Sequence, residues 1–387
     1  MKKIISIALI VSMFGILAQA NGETGNIITY DKAKEVMLSN NRTLKSLAIE
    51  ERKMFLNYNS IVQGTKNLKT DGVTFKFGGR EFFFEYDDNT KLSLTLAKEY
   101  TPAELKYYWN KMIINKTITE KSLYLNMRDL YLGLMKSDKD YKLAQKKYQL
   151  AESKHRINKL KFEQGLITRQ DLDESEYELL KAEKSVEEAK RNRENTVRSM
   201  NSILGADIST EYEEVIFDEL KRNITLKPLE YYIEKALAER YEIKSIEEEL
   251  RLKELKKGII EKSKLFKKNY NIMEQYEDLE LEIETLKVKM EKARFDIEND
   301  IKKAYIEIKN DLNTIESTIE TIKMQKRNLD KMKQQYERGF ISKIVLDEME
   351  IGIEELENMK EYVIYSYNTK IMKLEEAAGL GPAYGKE

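Results

Sequence analysis

No cysteine occurs in the 387 residues, which excludes a disulfide framework and a lipid-modified N-terminal cysteine. Histidine is almost as scarce. His155 is the only one; it sits between Lys154 and Arg156 and is expected on a solvated helix face. No metal-ligand cluster, phosphate loop or nucleophile elbow appears, so the sequence offers no enzyme, no cofactor and no metal site. Proline is limited to three residues, too few to punctuate a fold of many short elements. An excess of charge of one sign is also lacking. The 67 basic residues nearly balance the 68 acidic ones, and setting aside Lys2 and Lys3 leaves a net charge of −3. That balance argues against nucleic acid as a partner. After residue 20 no apolar run reaches the length of a membrane helix, so any membrane-spanning part must be a β-barrel.

The first twenty residues read as a secretory signal peptide: Lys2 and Lys3, the apolar run Ile4 to Leu17, then Ala18-Gln19-Ala20 before a cleavage site at Asn21. Beyond it, charged residues make up 35% of the chain, a composition that suits long, mutually packed helices. The organising feature is a short turn that occurs twice. Phe162-Glu163-Gln164-Gly165-Leu166-Ile167-Thr168 and Tyr336-Glu337-Arg338-Gly339-Phe340-Ile341-Ser342 share one design. An aromatic precedes a glycine by three, and two apolar residues and a hydroxyl follow. Glycine can take the left-handed conformation that ends one helix, and Thr168 or Ser342 can cap the next. Thr168 with Asp171 approximates a capping box.

Along the chain, residues 27–53 form an amphipathic helix opened by Thr29-Tyr30-Asp31. Near Asp71-Gly72 the period drops to two. Val73, Phe75 and Phe77, then Phe82 to Tyr86, then Leu92, Leu94 and Leu96 read as two or three strands joined at Gly78-Gly79 and Asp87-Asp88-Asn89. Thr101-Pro102-Ala103-Glu104 reads as a capped helix start. From there about 60 residues to the first turn make a rod of roughly 90 Å. Leu123, Met127, Leu130, Leu134, Tyr141, Tyr148 and Ala151 mark a heptad-like seam along it. The return helix stops at Gly205, and residues 206–225 are an irregular linker. Leu226-Lys227-Pro228-Leu229-Glu230 restarts the pattern, a second rod carries Ile283, Leu286, Met290, Ile297, Ile308, Ile315 and Ile322, and a last helix returns to Ala378-Gly379.

The halves align. Arg240 matches Asn41 at an offset of 199, whereas Gly339 matches Gly165, and Gly379 matches Gly205, at 174. The second half is therefore 25 residues shorter (199 less 174) in the interval that holds the β region of the first. The chain divides into 1–20, a first repeat at 21–225 with a β region at 72–97, and a shorter repeat at 226–387.

This ordered duplication resembles the TolC-like outer membrane efflux family, on both repeat openings, both glycine turns and the Leu204-Gly205 and Ala378-Gly379 endings. The resemblance implies a mainly α fold: long antiparallel helical hairpins in two internal repeats that form one protomer of an α-barrel, with a small β-hairpin region in the first repeat. It further implies a homotrimer in the cell outer membrane with most of its mass in the periplasm. An inner-membrane transporter and a periplasmic adaptor (a membrane fusion protein) would hand small molecules or polypeptides to this passive conduit of a tripartite efflux or type I secretion system. The competing class is a non-conducting structural or adhesive coiled-coil protein of the envelope.

The turn residues Gly165, Leu166, Ile167, Gly339, Phe340 and Ile341 place apolar side chains where loops usually carry polar ones. They either staple neighbouring hairpins within the assembly or, as the resemblance implies, form the adaptor-docking surface. The resemblance also implies a gate at these tips, to which Asp171 and Tyr336 would bring an acid and a phenol. Asp347 and Glu348 are lumen candidates, since a threefold ring of carboxylates favours cations. In the second half, Leu279, Leu281 and Ile283 alternate with acids, but Leu279, Ile283, Leu286 and Met290 fit a helix equally well, and the helix is the favoured reading. The first-half strands, residues 73–96, are therefore expected to be the only regular β-structure. That leaves a reduced membrane end with Phe75, Phe77, Phe82 and Phe84 facing outer-membrane lipid.

Overall fold

The computed structural model describes residues 27–212, 214–216 and 224–381. The expected signal peptide and part of the 206–225 linker lie outside the described residues. Strand β1 (Ile27–Thr29) leads into helix α1 (Tyr30–Asn40), whose first turn is capped by Thr29 accepting from the amide of Lys32. At Asn41 the backbone swings to an extended conformation (φ −61°, ψ 119°) and its side chain caps α2 (Arg42–Thr65) by accepting from Leu44 N.

Strands β2 (Gly72–Phe77) and β3 (Arg80–Glu85) form an antiparallel hairpin turned by Gly78 and Gly79, both at positive φ. The expected continuation of strand through Leu92, Leu94 and Leu96 is corrected: residues 88–95 are helix α3 (Asp88–Thr95), and Leu96–Tyr100 make a π-helical turn. Two causes are visible. Asp87 caps the segment, accepting from the amide of Thr90 at 2.9 Å and from its hydroxyl at 2.6 Å. The spacing of Leu92, Leu96 and Tyr100 is also helical (i, i+4, i+8), and that face packs on Ile259, Ile260 and Leu279. The alternation was genuine but both periods shared it.

The π-turn runs straight into α4 (Thr101–Glu163), so Thr101 does not start the helix as a cap; its hydroxyl bonds to Leu96 O within a continuous rod. Pro102 brings no N–H to the carbonyl four residues back, and a widened turn is one way to absorb that loss. At 63 residues, α4 is about 95 Å long. Helix α5 (Arg169–Leu204) returns alongside and ends at Gly205 in the left-handed conformation (φ 66°), where an added Cβ would lie 3.1 Å from Asn40 Cβ. Strand β4 (Glu214–Ile216) pairs in parallel with β1, a second small sheet that the sequence did not announce.

The second half repeats the first without its hairpin. Helix α6 (Leu229–Glu239) breaks at Arg240 and continues as α7 (Tyr241–Lys262), as α1 breaks at Asn41 before α2. A tight connection follows in which Lys267 takes positive φ, and Leu265 and Phe266 fold onto the cluster around Leu92. Helix α8 (Tyr270–Glu337, 68 residues) then spans 278–290, the segment whose alternation left a strand conceivable, and α9 (Lys343–Ala377) returns. Gly379 is not the left-handed counterpart of Gly205; positive φ comes two residues later, at Gly381.

Two equivalent cores lie at mid-length. Ala33, Met37, Met127, Tyr131, Leu134, Val197, Met200 and Leu204 join α1, α4 and α5. Tyr232, Ala236, Ile243, Ile297, Ile301, Ala304, Ile308, Ile371 and Leu374 join α6 to α9. Side by side, the helices run α2–α4–α7–α8 on the hairpin side of these cores and α5–α4–α9–α8 on the side of the glycine turns. The result is an open layer of helices rather than a closed bundle. Among the described residues no helix is long and apolar enough to cross a membrane.

Candidate functional site at the two helical tips

The two glycine turns are the same structure built twice. In the first, Gly165 N donates to Phe162 O at 2.9 Å and Leu166 N to Lys161 O at 2.8 Å; in the second, Gly339 N donates to Tyr336 O and Phe340 N to Gln335 O, both at 2.8 Å. This is the double closure of a Schellman motif, and it needs the left-handed residue that Gly165 (φ 70°) and Gly339 (φ 76°) supply. The motif pushes the next side chain outward. Leu166 is 68% and Phe340 75% exposed, while Ile167 and Ile341 are half-buried behind them.

The flanks match as well. Arg169 lies over the Phe162 ring at 5.9 Å and pairs with Asp173. At the corresponding positions Lys343 lies within electrostatic reach of Tyr336 and pairs with Asp347. One difference is clear. Thr168 and Asp171 form a full capping box: Asp171 N donates to Thr168 Oγ1, and the Asp171 carboxylate accepts from Thr168 N at 2.8 Å and from its hydroxyl at 2.7 Å. Those bonds, the hydroxyl's first, hold the Asp171 carboxyl below the usual aspartate range. At the second tip Val345 occupies the equivalent of Asp171, and Ser342 makes no side-chain cap bond, contrary to the expectation that it would.

The gate candidates are therefore not alike. Asp171 is engaged in its own cap and also borders an open groove of about 810 Å³ between α4 and α5, with Ile167, Lys154 and Glu174. Tyr336 stays exposed on the other hairpin, and the structure makes no hydrogen bond between the two within one chain. Asp347 is tied to Lys343 on its own helix, whereas Glu348 pairs across the hairpins with Lys154. Lys154 lies eleven residues before Gly165, and Glu348 nine after Gly339, so this pair sets the two tips level.

Glu348 belongs to a ladder that sequence reasoning missed. Tipward of mid-length, α4 and α9 are joined by Lys139–Glu361, Lys146–Glu354, Lys147–Glu355 and Lys154–Glu348. Nearer the cores the contact becomes apolar and buried: Leu132, Met135 and Tyr365 cluster, and Arg128 donates to Thr369 at 2.9 Å. Each residue of the ladder is an ordinary surface lysine or glutamate in the sequence; only the antiparallel pairing of helices some 200 residues apart gives it meaning. His155 is corrected too. It is half-buried between α4 and α5, with Nδ1 2.9 Å from Ser175 Oγ. Among the described residues no group of three candidate metal ligands occurs.

No protein-family model and no curated protein sequence matches the chain. Solved structures do. The Campylobacter jejuni CmeC outer membrane channel superposes with a TM-score of 0.63 at 15% identity, over 92% of this chain and 87% of that one. CusC gives 0.65 at 11% identity, over 95% and 96%. The open-state Neisseria gonorrhoeae MtrE outer membrane channel gives 0.62 at 13%, over 91% and 89%.

Proposed function

We propose that this chain, which has the TolC-like fold, forms the exit duct of a tripartite efflux or type I secretion system. It acts as a homotrimeric, non-enzymatic conduit that sits at the outer membrane with most of its mass in the periplasm. The observation that carries the reading is the polarity of the rod. An aromatic-faced hairpin stands at one end of α4, and two apolar Schellman tips stand at the other, about 95 Å away. In this reading Leu166, Ile167, Phe340 and Ile341 receive a periplasmic adaptor that delivers substrate from an inner-membrane transporter. Asp171 and Tyr336 belong to the gate between neighbouring hairpins. Asp347 and Glu348 contribute as members of ion pairs, not as a bare carboxylate ring.

Support for a closed ring comes from the edges of the helical layer. Each edge helix has an apolar face turned away from its own chain, which is what a neighbouring copy would cover. Electron microscopy of the purified protein tests the proposal against the rival coiled-coil rod. A hollow threefold ring in axial projection is expected; a solid rod without a lumen would refute the duct.

A further inference from the structure

The β2–β3 hairpin projects from the helical layer with both strands largely exposed; Tyr86 N on Asp71 O closes its base, and the Glu85–Lys91 ion pair ties it to α3. Its cross-strand register, Val73 opposite Phe84, Phe75 opposite Phe82 and Phe77 opposite Arg80, collects one apolar face. Phe75 and Phe82 stack at 5.7 Å, and all five apolar side chains of that face are exposed, Phe77 at 76%. The opposite face carries Thr74, Lys76, Glu81 and Glu85, with Lys76 and Glu81 paired at 2.9 Å, and a single Phe83.

We propose that this face docks in one leaflet of a phospholipid bilayer, at the boundary of headgroups and acyl chains, as an anchor that does not span. Length is the first argument. Each strand has six residues, and the apolar face from Val73 to Phe77 covers only about 13 Å, against the roughly 25 Å apolar band of a spanning barrel. Strand number is the second. Among the described residues there is one such hairpin per chain, which gives a trimer six strands, fewer than the eight of the smallest membrane barrels. Unpaired strand edges cannot sit in hydrocarbon, whereas headgroups and interfacial water satisfy them. Charge is the third. Arg80 lies on the apolar face at the turn, where its guanidinium can reach lipid phosphate from the interface but would be stranded inside the core by a hairpin of this length. Only the strand count rests on the proposed trimer; amphipathicity, length and charge belong to a single chain.

The test is flotation of the purified protein with vesicles of phosphatidylethanolamine and phosphatidylglycerol. The protein should rise with the vesicles, and the combined Phe75→Ser, Phe77→Ser and Phe82→Ser variant should bind about tenfold less with its helical circular dichroism unchanged. Thr74→Ala, on the polar face, should float normally. Because the chain has no cysteine, a nitroxide on Phe77→Cys reports depth cleanly, and it should lie within the proximal leaflet. Failure of the unaltered protein to float, equal flotation of the triple variant, or a label at the bilayer midplane or beyond would overturn the anchor. A hollow ring by microscopy stands or falls separately from all three outcomes.

Discussion

Arg240 donates from Nη1 to the carbonyl oxygen of Ala377 at 2.8 Å, tying the first bend of the second repeat to the last turn of the chain's final helix. The guanidinium also holds Glu242 by two bonds and lies 3.5 Å from Asp300, with only 2% of the side chain exposed. The break at Asn41 uses a different solution, a local cap on Leu44 N. One backbone bend, duplicated, is thus secured by a side-chain oxygen in one repeat and by a long buried cation in the other.

Arg240→Ala should therefore destabilise the protein far more than Asn41→Ala. Removing the buried guanidinium costs about 3 kcal/mol or more, because the Ala377 carbonyl loses its donor and the space the side chain fills is left empty. Losing a helix cap costs about 1 kcal/mol. Urea unfolding of both variants checks the ranking, and equal midpoints would contradict it.

How far the sequence could be read follows from the range of each interaction. The tips and the β2–β3 hairpin depend on glycine, a cap or an alternation within a dozen residues and were legible. The break at Asn41, by contrast, falls inside residues 27–53, which read as one continuous helix, and the break at Arg240 was not read at all. Leu92 and Leu96 were not legible, because their partners Ile259, Ile260 and Leu279 lie more than 160 residues away and settle the choice between two periods. The Arg240 network and the Lys154–Glu348 ladder failed to show for the same reason. Lysine and glutamate are indistinguishable from solvated charge until the antiparallel register of α4 and α9 is known.

Thr168 and Ser342 should respond unequally to alanine. Thr168→Ala removes a capping box and should cost about 1 kcal/mol of local stability at the first tip, whereas Ser342→Ala, with no cap bond to lose, should be nearly neutral. The Asp171 half of the box also sets a pH dependence. Its folded-state pKa is depressed, so its contribution is fully present above the ordinary aspartate range near 3.9 and is lost as pH falls through the lower folded value. Amide exchange at Thr168, whose N–H the Asp171 carboxylate accepts, should show protection falling with acid across that interval, at the first tip only.

The ladder between α4 and α9 should be sensitive to salt. Its pairs are partly exposed, each contributes roughly 0.2–1 kcal/mol, and each is screened. Raising ionic strength should speed exchange in the tipward halves of α4 and α9 while leaving the stretch around Leu132 and Tyr365 unchanged. Lys154→Glu should mimic salt, and adding Glu348→Lys should restore protection. If the double swap gives no rescue, the pair is incidental.

Phe340→Asp and Leu166→Asp should leave the fold intact, since both side chains already face solvent, yet abolish export. Docking an adaptor on the tip would bury the new carboxylate against apolar surface at a cost of several kcal/mol. Cells producing either variant should accumulate the exported substrate as a deletion strain does. Normal export by both would remove the tips as the docking surface.

Assembly gives the remaining prediction, and it turns on α8, the edge of the helical layer along its whole length. Its intrachain stripe, Leu279, Ile283, Leu286 and Ile297, is buried. Leu281, Val288 and Phe295 recur every seven residues about 200° away around the helix and are all exposed. A helix apolar on two opposed faces is stable in water only when both are covered. On the hairpin side the opposite edge of the layer is α2, which exposes Ile49 and Leu56, also seven apart; on the tip side it is α5, which exposes Tyr177 and Leu180. A rotational copy therefore brings α8 of one protomer against α2 and α5 of the next, in the seven-residue spacing that lets side chains interlock. Val288→Glu with Phe295→Glu should dissociate the assembly into monomers of unchanged helicity, measured by light scattering, because two carboxylates would enter an apolar seam three times per ring. Ile49→Glu, on the facing edge, should do the same. If either set leaves the mass of the particle unaltered, the ring does not close through these edges.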